Sequence, residues 1–156
     1  MTEPPPATLN IGDQSQLSGI GSYCWNASGD PAQGMGMCVD KMGLVTPLEA
    51  MLVPTGPLTA EFLLPLDDAP SGVLLNVYPA QGEPSVFGEV QGWEPNFEAA
   101  QSHELALVPT QSIALELEPG LYVLSVFARW EGWGDVLYGF LVQVGEGQGG
   151  EAAPGA

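Results

Sequence analysis

The stretch from Glu118 to Val144, EPGLYVLSVFARWEGWGDVLYGFLVQV, constrains the fold of this chain more than any other. Two long runs of β-branched, aromatic and leucine residues flank a short segment rich in glycine and tryptophan, which is typical of a β-hairpin. In both runs, the two alternating sets of side chains are largely apolar. The pattern therefore predicts two central strands, each covered on both faces.

The entry into the first run indicates the fold class. The residues Pro119-Gly120-Leu121-Tyr122 resemble the tyrosine corner of immunoglobulin-like sandwiches, in which the tyrosine hydroxyl bonds to upstream backbone. The 21 glycines and 15 prolines favour many turns over long helices, and short alternating runs recur from Leu58 onward. We therefore predict an all-β chain with an immunoglobulin-like β-sandwich core over residues 56–145.

In the N-terminal third, apolar and polar residues alternate less regularly than in the C-terminal runs. We expect residues 1–6, which include three prolines, to be a flexible lead-in, and residues 7–55 to form a cap on the sandwich. Within this cap, Thr46–Leu52 fits a short helical turn with Thr46 as its N-cap, and an edge strand is the alternative. We expect residues 91–101 to form a long loop and residues 146–156 to form a disordered tail.

The charge excludes several partners. Nineteen acidic residues stand against Lys41 and Arg129, giving a formal net charge of −17. Nucleic-acid binding needs a basic footprint, and anionic lipid would repel this chain. No apolar run reaches the ~18 residues that span a bilayer, and residues 1–6 lack the basic and apolar regions of a secretory signal. We expect a monomer without a transmembrane segment.

Several short motifs occur in a fixed order: Gly21-Ser22-Tyr23-Cys24-Trp25, Cys38-Val39-Asp40, Pro47-Leu48-Glu49, Gly120-Leu121-Tyr122, Ala128-Arg129-Trp130 and Tyr138-Gly139-Phe140. Taken together they resemble a family of small bacterial exported or lipoprotein-type domains with the pattern GSYCW…CxD…PxE…GxY…ARW…YxF. The resemblance covers roughly residues 19 to 144. It implies an extracytoplasmic β-sandwich and supplies no activity.

In an exported protein, Cys24 and Cys38 would pair as a disulfide, because oxidising compartments favour it and the intervening loop is polar and glycine-rich. A copper site is the alternative, since Met35, Met37 and Met42 cluster around Cys38 and soft sulfur ligands select Cu(I). Blue-copper sites use two histidines, whereas this chain has one. We expect a structural disulfide, with no metal and no cofactor.

Arg129 is the only arginine in a strongly acidic chain, and it lies in a predicted central strand. A guanidinium in such a place should be paired. We predict a structural ion pair of Arg129 with Asp40 and Glu49 that ties the cap to the sandwich. A carboxylate-binding pocket around Arg129 is the alternative.

We predict no catalytic residues. His103 is the only histidine, and Ser102-His103-Glu104 in one strand cannot place all three side chains on one face as a catalytic triad would need. The acidic residues leave hydrolysis by a carboxylate pair open, but no pair stands out.

Trp93 and Trp133, with Phe97 nearby, are candidates for an exposed aromatic surface that stacks on sugars or anchors a partner. The loop Asn26–Gly36, closed by the disulfide, suits a proteinase inhibitor-like binder. Our main hypothesis is a non-catalytic interaction or structural module of the bacterial cell envelope, extracytoplasmic, with an unknown protein or glycan partner. The alternatives are a carbohydrate- or small-ligand-binding module and an inhibitor-like binder.

Overall fold

The computed structural model describes residues 4–26, 37–41, 43–80, 83–94 and 101–145. These residues form fourteen β-strands: β1 Thr8–Ile11, β2 Gln14–Leu17, β3 Gly19–Trp25, β4 Met37–Val39, β5 Leu44–Pro47, β6 Met51–Val53, β7 Gly56–Leu63, β8 Gly72–Pro79, β9 Ser85–Phe87, β10 Val90–Trp93, β11 Gln101–Glu104, β12 Thr110–Leu117, β13 Gly120–Trp130 and β14 Gly134–Val144. The predicted all-β class is confirmed. Within the described residues, no helix is long and apolar enough to cross a membrane.

The strands form three sheets. The front sheet has the order β12-β7-β1-β2, and the outer sheet has the order β5-β10-β9. Between them is the seven-stranded central sheet, β11-β8-β13-β14-β3-β4, to which β6 adds in parallel beside β14. The central sheet is therefore packed on both faces, as the apolar alternation of its strands requires.

The central hairpin is the predicted one. β13 and β14 pair in antiparallel register over eleven residues each, from Gly120 opposite Val144 to Trp130 opposite Gly134. The side chains of Tyr122, Leu124, Val126, Ala128, Trp130, Val136, Tyr138, Phe140, Val142 and Val144 are buried in the main core, against the front sheet. Those of Val123 and Leu141 point the other way into a smaller cluster with Leu44 and Trp93 of the outer sheet.

Residues 7–55, which we predicted as a cap on the sandwich, contribute strands to all three sheets instead of forming a layer of their own. β1 pairs with β7 along its length, and β3 pairs with β14 from Gly134 opposite Trp25 to Gly139 opposite Gly19. Both sheets would otherwise present apolar, unpaired edges, and residues 7–25 satisfy their backbone groups. Residues 7–55 and 56–145 therefore share one core.

The lead-in also differs from the prediction where the structure describes it. Pro4 is buried, and the hydroxyl of buried Tyr138 donates a hydrogen bond to the carbonyl oxygen of Pro5 at 3.2 Å. A buried tyrosine hydroxyl needs such a partner. The predicted tail over residues 146–156 lies outside the described residues.

The predicted helical turn at 46–52 is wrong. Thr46 lies in β5 and is fully buried, and its hydroxyl bonds to the carbonyl oxygen of Pro47 instead of capping a helix. The polypeptide then continues into β6. Pairing with β10 and β14 outweighs the weak local capping signal.

Two glycines let the outer sheet approach the central sheet. Gly19 of β3 and Gly139 of β14 lie opposite each other. A Cβ atom added to Gly139 would lie 2.1 Å from the carbonyl oxygen of Val45, and one added to Gly19 would lie 2.5 Å from it. Only glycine allows backbone to cross backbone this closely.

Candidate functional site: a groove beside Arg129

The outer sheet covers only part of the central sheet. On β13, the outward side chain of Val123 is buried beneath it, and Ser125 is buried as well. Further along the same face, Phe127 is half-buried and Arg129 is exposed. Among the described residues, the cover therefore ends near Ser125, which leaves open the end of β13 that leads into the turn to β14.

A groove with a volume of about 500 Å³ occupies this open region. Its lining includes Gly72, Leu74, Glu104, Leu107, Phe127 and Arg129. Leu74 is 36% exposed and Leu107 is 51% exposed. A volume of this size lies in the range of small-ligand sites, and the lining combines apolar side chains with one guanidinium and one carboxylate.

The register explains why a depression forms here. Gly72 lies opposite Arg129 across β8 and β13, and Leu74 lies opposite Phe127 two pairs further on, on the same face. A Cβ atom added to Gly72 would meet nothing within 4 Å. The missing side chain at Gly72 therefore leaves open space between Arg129 and the leucines.

Arg129 does not contact the carboxylates that we predicted as its partners. In the central sheet, β14 and β3 lie between β13, which carries Arg129, and β4, after which Asp40 follows. Glu49 lines a different cavity, at the end of the molecule near β2. Sheet order separates Asp40 from Arg129, and Glu49 lies beside Gln16 and Leu141, toward the end of β14 that is distant from Arg129.

Asp135 lies opposite Arg129 across the hairpin, and Glu104, which lies opposite Leu74, lines the groove. No described residue forms an ion pair with Arg129. The other cation of the chain differs, because Lys41 Nζ donates a hydrogen bond to the carbonyl oxygen of Ile20 at 2.8 Å. Arg129 is thus an exposed cation beside the groove, without an ion-pair partner among the described residues.

Trp93 is not the exposed residue that we predicted. It lies in β10, where we expected a loop, and it is 6% exposed. Its indole Nε1 donates a hydrogen bond to Thr46 Oγ1 at 3.0 Å inside the smaller core. β9 and β10 are only three and four residues long, so their alternation is too short to predict a strand here.

Trp133 is half-buried, and its ring packs against Trp25 with a centroid distance of 5.4 Å. Its Nε1 donates a hydrogen bond to Asp68 Oδ2 at 3.4 Å. Trp93 and Trp133 therefore do not share one surface. Phe97, the third predicted aromatic residue, and the loop residues 27–36 lie outside the described residues.

The predicted disulfide between Cys24 and Cys38 is confirmed. The two cysteines lie directly opposite each other on β3 and β4, and the bond joins them across that edge of the central sheet. Neither cysteine is free, so Cys38 offers no thiolate to a metal. Within the described part of the chain, no group of three histidine, cysteine or acidic side chains could hold a metal ion.

Two other predicted residues have structural contacts. The hydroxyl of Tyr122 donates a hydrogen bond to the carbonyl oxygen of Glu118 at 2.8 Å, as expected for a tyrosine corner. Burial raises the pKa of Tyr122, and the nearby charge of Glu118 adds to the effect. His103 is half-buried, with Nε2 2.8 Å from Gln101 Oε1.

Sequence reasoning missed Gly72, Leu74 and Leu107. The signal was weak but present, because Leu74 alternates with the buried Val73 and Leu75 in the predicted strand over residues 72–78. A leucine in phase with the outward face indicates either a cover or an open apolar site. Arg129 was the one groove residue that the sequence singled out.

No family model matches this chain, and no curated protein matches it. Among solved structures, it is similar to the crystal structure of the PmoD soluble domain from Methylocystis sp. ATCC 49242 (Rockwell). The similarity covers 86% of this chain and 96% of that one, at 14% sequence identity and a TM-score of 0.46. A likeness this distant carries no argument about the function of this chain.

Proposed function

We propose that this protein is a non-catalytic, immunoglobulin-like interaction module of the bacterial cell envelope, and that the groove beside Arg129 is its contact surface. One observation carries the proposal. Among the residues that the structure describes, a third sheet covers part of the outer face of the central sheet, and an apolar groove bordered by one guanidinium is left uncovered. Exposed apolar surface of this kind is costly in water unless a partner covers it.

The topology supports the immunoglobulin-like part of the proposal. The front sheet pairs β7 with β12, and the central sheet places β8, β13 and β14 side by side. This is the pairing of strands B with E and of C with F and G in immunoglobulin domains. The hydrogen bond of Tyr122, at the start of β13, falls where strand F begins in that arrangement.

The disulfide supports an extracytoplasmic location. Cys38 is exposed at the edge of the central sheet. Exposed structural disulfides persist in oxidising compartments and are rare in a reducing cytosol. An envelope location also fits the strongly acidic surface, which keeps the protein soluble.

Site-specific photocrosslinking in intact cells tests the contact surface. A photoreactive residue at Leu107 reports on the groove, and one at Thr59, an exposed position of the front sheet, is the matched control. We expect a crosslinked adduct from position 107 and none from position 59. Equal adducts at both positions, or none at either, would refute the assignment of the groove as the contact surface.

A further inference from the structure

We propose that the groove beside Arg129 binds a small apolar monocarboxylate, with its carboxylate on the Arg129 guanidinium and its hydrocarbon part against Leu74, Leu107 and Phe127. This inference rests on the proposed function, because it names the ligand class of the same site. The shared chemistry is one carboxylate attached to an apolar chain. A short fatty acid and the C-terminal leucine of a peptide both supply it.

The head-group assignment follows from the chemistry of Arg129. A guanidinium presents paired N–H donors that match the two oxygens of a carboxylate. The side chain is exposed, and no described residue forms an ion pair with it. It also borders the groove, so a carboxylate placed there can keep its tail on the apolar lining.

The net charge of the chain favours a ligand with few negative charges and a large apolar part. At −17, the protein repels any anion at long range. Glu104 also lines the groove, which disfavours a second carboxylate on the ligand. We therefore expect burial of the tail to supply a large part of the binding free energy and acetate to bind weakly.

The shape of the groove accommodates such a tail. The open space above Gly72 connects Arg129 to the exposed parts of Leu74 and Leu107. A volume of about 500 Å³ holds a chain of eight carbons. Each methylene buried there should tighten binding by about fourfold, up to the length of the groove.

Three variants separate the contributions of the groove. Arg129→Gln removes the charge and keeps a polar side chain. Gly72→Val fills the groove, and because an added Cβ at this position meets no neighbour, the protein should keep its melting temperature. Lys41→Gln removes the other cation of the chain, which lies away from the groove.

The experiment measures ligand binding by NMR titration of the backbone amides. The ligands are octanoate, acetate, 1-octanol and a pentapeptide that ends in leucine, and the peptide is tested with a free and with an amidated C-terminus. We expect octanoate to shift amides of β8 and β13 and to bind at least tenfold more tightly than acetate or 1-octanol. Arg129→Gln should weaken octanoate binding at least tenfold and leave the affinity for 1-octanol unchanged. Gly72→Val should abolish both, and Lys41→Gln should change neither.

The peptide arms identify the source of the carboxylate. If the free-acid peptide binds more tightly than octanoate and its amide does not bind, the natural ligand is a peptide C-terminus. If octanoate binds more tightly than the free-acid peptide, the natural ligand is a fatty acid. Equal binding of octanoate and 1-octanol, or of octanoate to Arg129→Gln and wild type, would overturn the proposal. If no acid binds while position 107 still crosslinks, the ligand class is wrong and the contact surface stands.

Discussion

The side-chain amide of Gln16 pairs with the backbone of Leu141 as a neighbouring strand would. The Leu141 N–H donates to Gln16 Oε1 at 3.0 Å, and Gln16 Nε2 donates to the Leu141 carbonyl oxygen at 3.0 Å. Along this edge of β14, β3 pairs up to Gly139 and β6 pairs from Val142 onward. Gln16 therefore fills the gap between two strands, because its amide carries the same donor and acceptor as a peptide group.

Replacing Gln16 with alanine should lower the free energy of unfolding by about 3 kcal/mol, because it leaves a donor and an acceptor of buried backbone without partners. Urea unfolding measures the change. The matched control is Gln14→Ala, whose exposed amide bonds only to the carbonyl oxygen of Leu52 and should cost under about 1 kcal/mol. Equal losses in the two variants would contradict this role of Gln16.

Replacing Gly139 with alanine should lower the free energy of unfolding by about 3 kcal/mol, because the new Cβ would collide with the carbonyl oxygen of Val45. The cost arises from moving β5 away from the central sheet. Gly72→Ala is the control, since its Cβ meets open space and should change stability by less than about 0.5 kcal/mol. A neutral Gly139→Ala variant would mean that β5 does not cross β14 this closely.

Stability should fall at alkaline pH because burial raises the pKa of Tyr138 well above its ordinary value. An unfolded tyrosine titrates near pH 10, so between that value and the higher folded pKa the unfolded state loses its proton first. The contribution is fully present below about pH 10, and the free energy of unfolding then declines by up to about 1.4 kcal/mol per pH unit for this group. Urea unfolding at a series of pH values measures the slope.

The Tyr138→Phe variant should lose most of this slope when it is compared with the wild-type protein. The pKa of Tyr122 is also raised, so a smaller slope should remain in Tyr138→Phe. An unchanged slope in Tyr138→Phe would show that another group causes the alkaline loss.

Reducing the disulfide should lower the free energy of unfolding by about 3 kcal/mol, the chain-entropy value for a loop of this length. Cys24 and Cys38 are separated by 14 positions in the sequence. Thermal unfolding of the oxidised protein, the reduced protein and the double variant Cys24→Ser/Cys38→Ser measures it. The last two should agree with each other, and identical melting of all three would contradict a stabilising role.

The central hairpin and the corner at Tyr122 could be predicted because their signals are local. Alternating apolar residues in β13 and β14 require burial on both faces wherever these strands lie. The bond from Tyr122 spans four residues, so the motif that encodes it is readable from a short segment. The disulfide was also predictable, since the chain has only two cysteines.

The partners of Arg129 and the surroundings of Trp93 could not be predicted in the same way. Arg129 lies apart from Asp40 because two strands separate β13 from β4. Trp93 is buried because β10 pairs with β5, a strand more than forty positions earlier in the chain. The residues next to Arg129 and Trp93 in the sequence do not indicate either arrangement.

The sequence by itself determined that this chain is built from strands, that its last two strands are central and that its cysteines pair. Only the tertiary structure decided what covers each face of the central sheet and where the cover ends. The physical reason is that side-chain alternation specifies which faces must be buried, but not by what. The register that places Gly72 opposite Arg129, and so opens the groove, depends on contacts between distant segments.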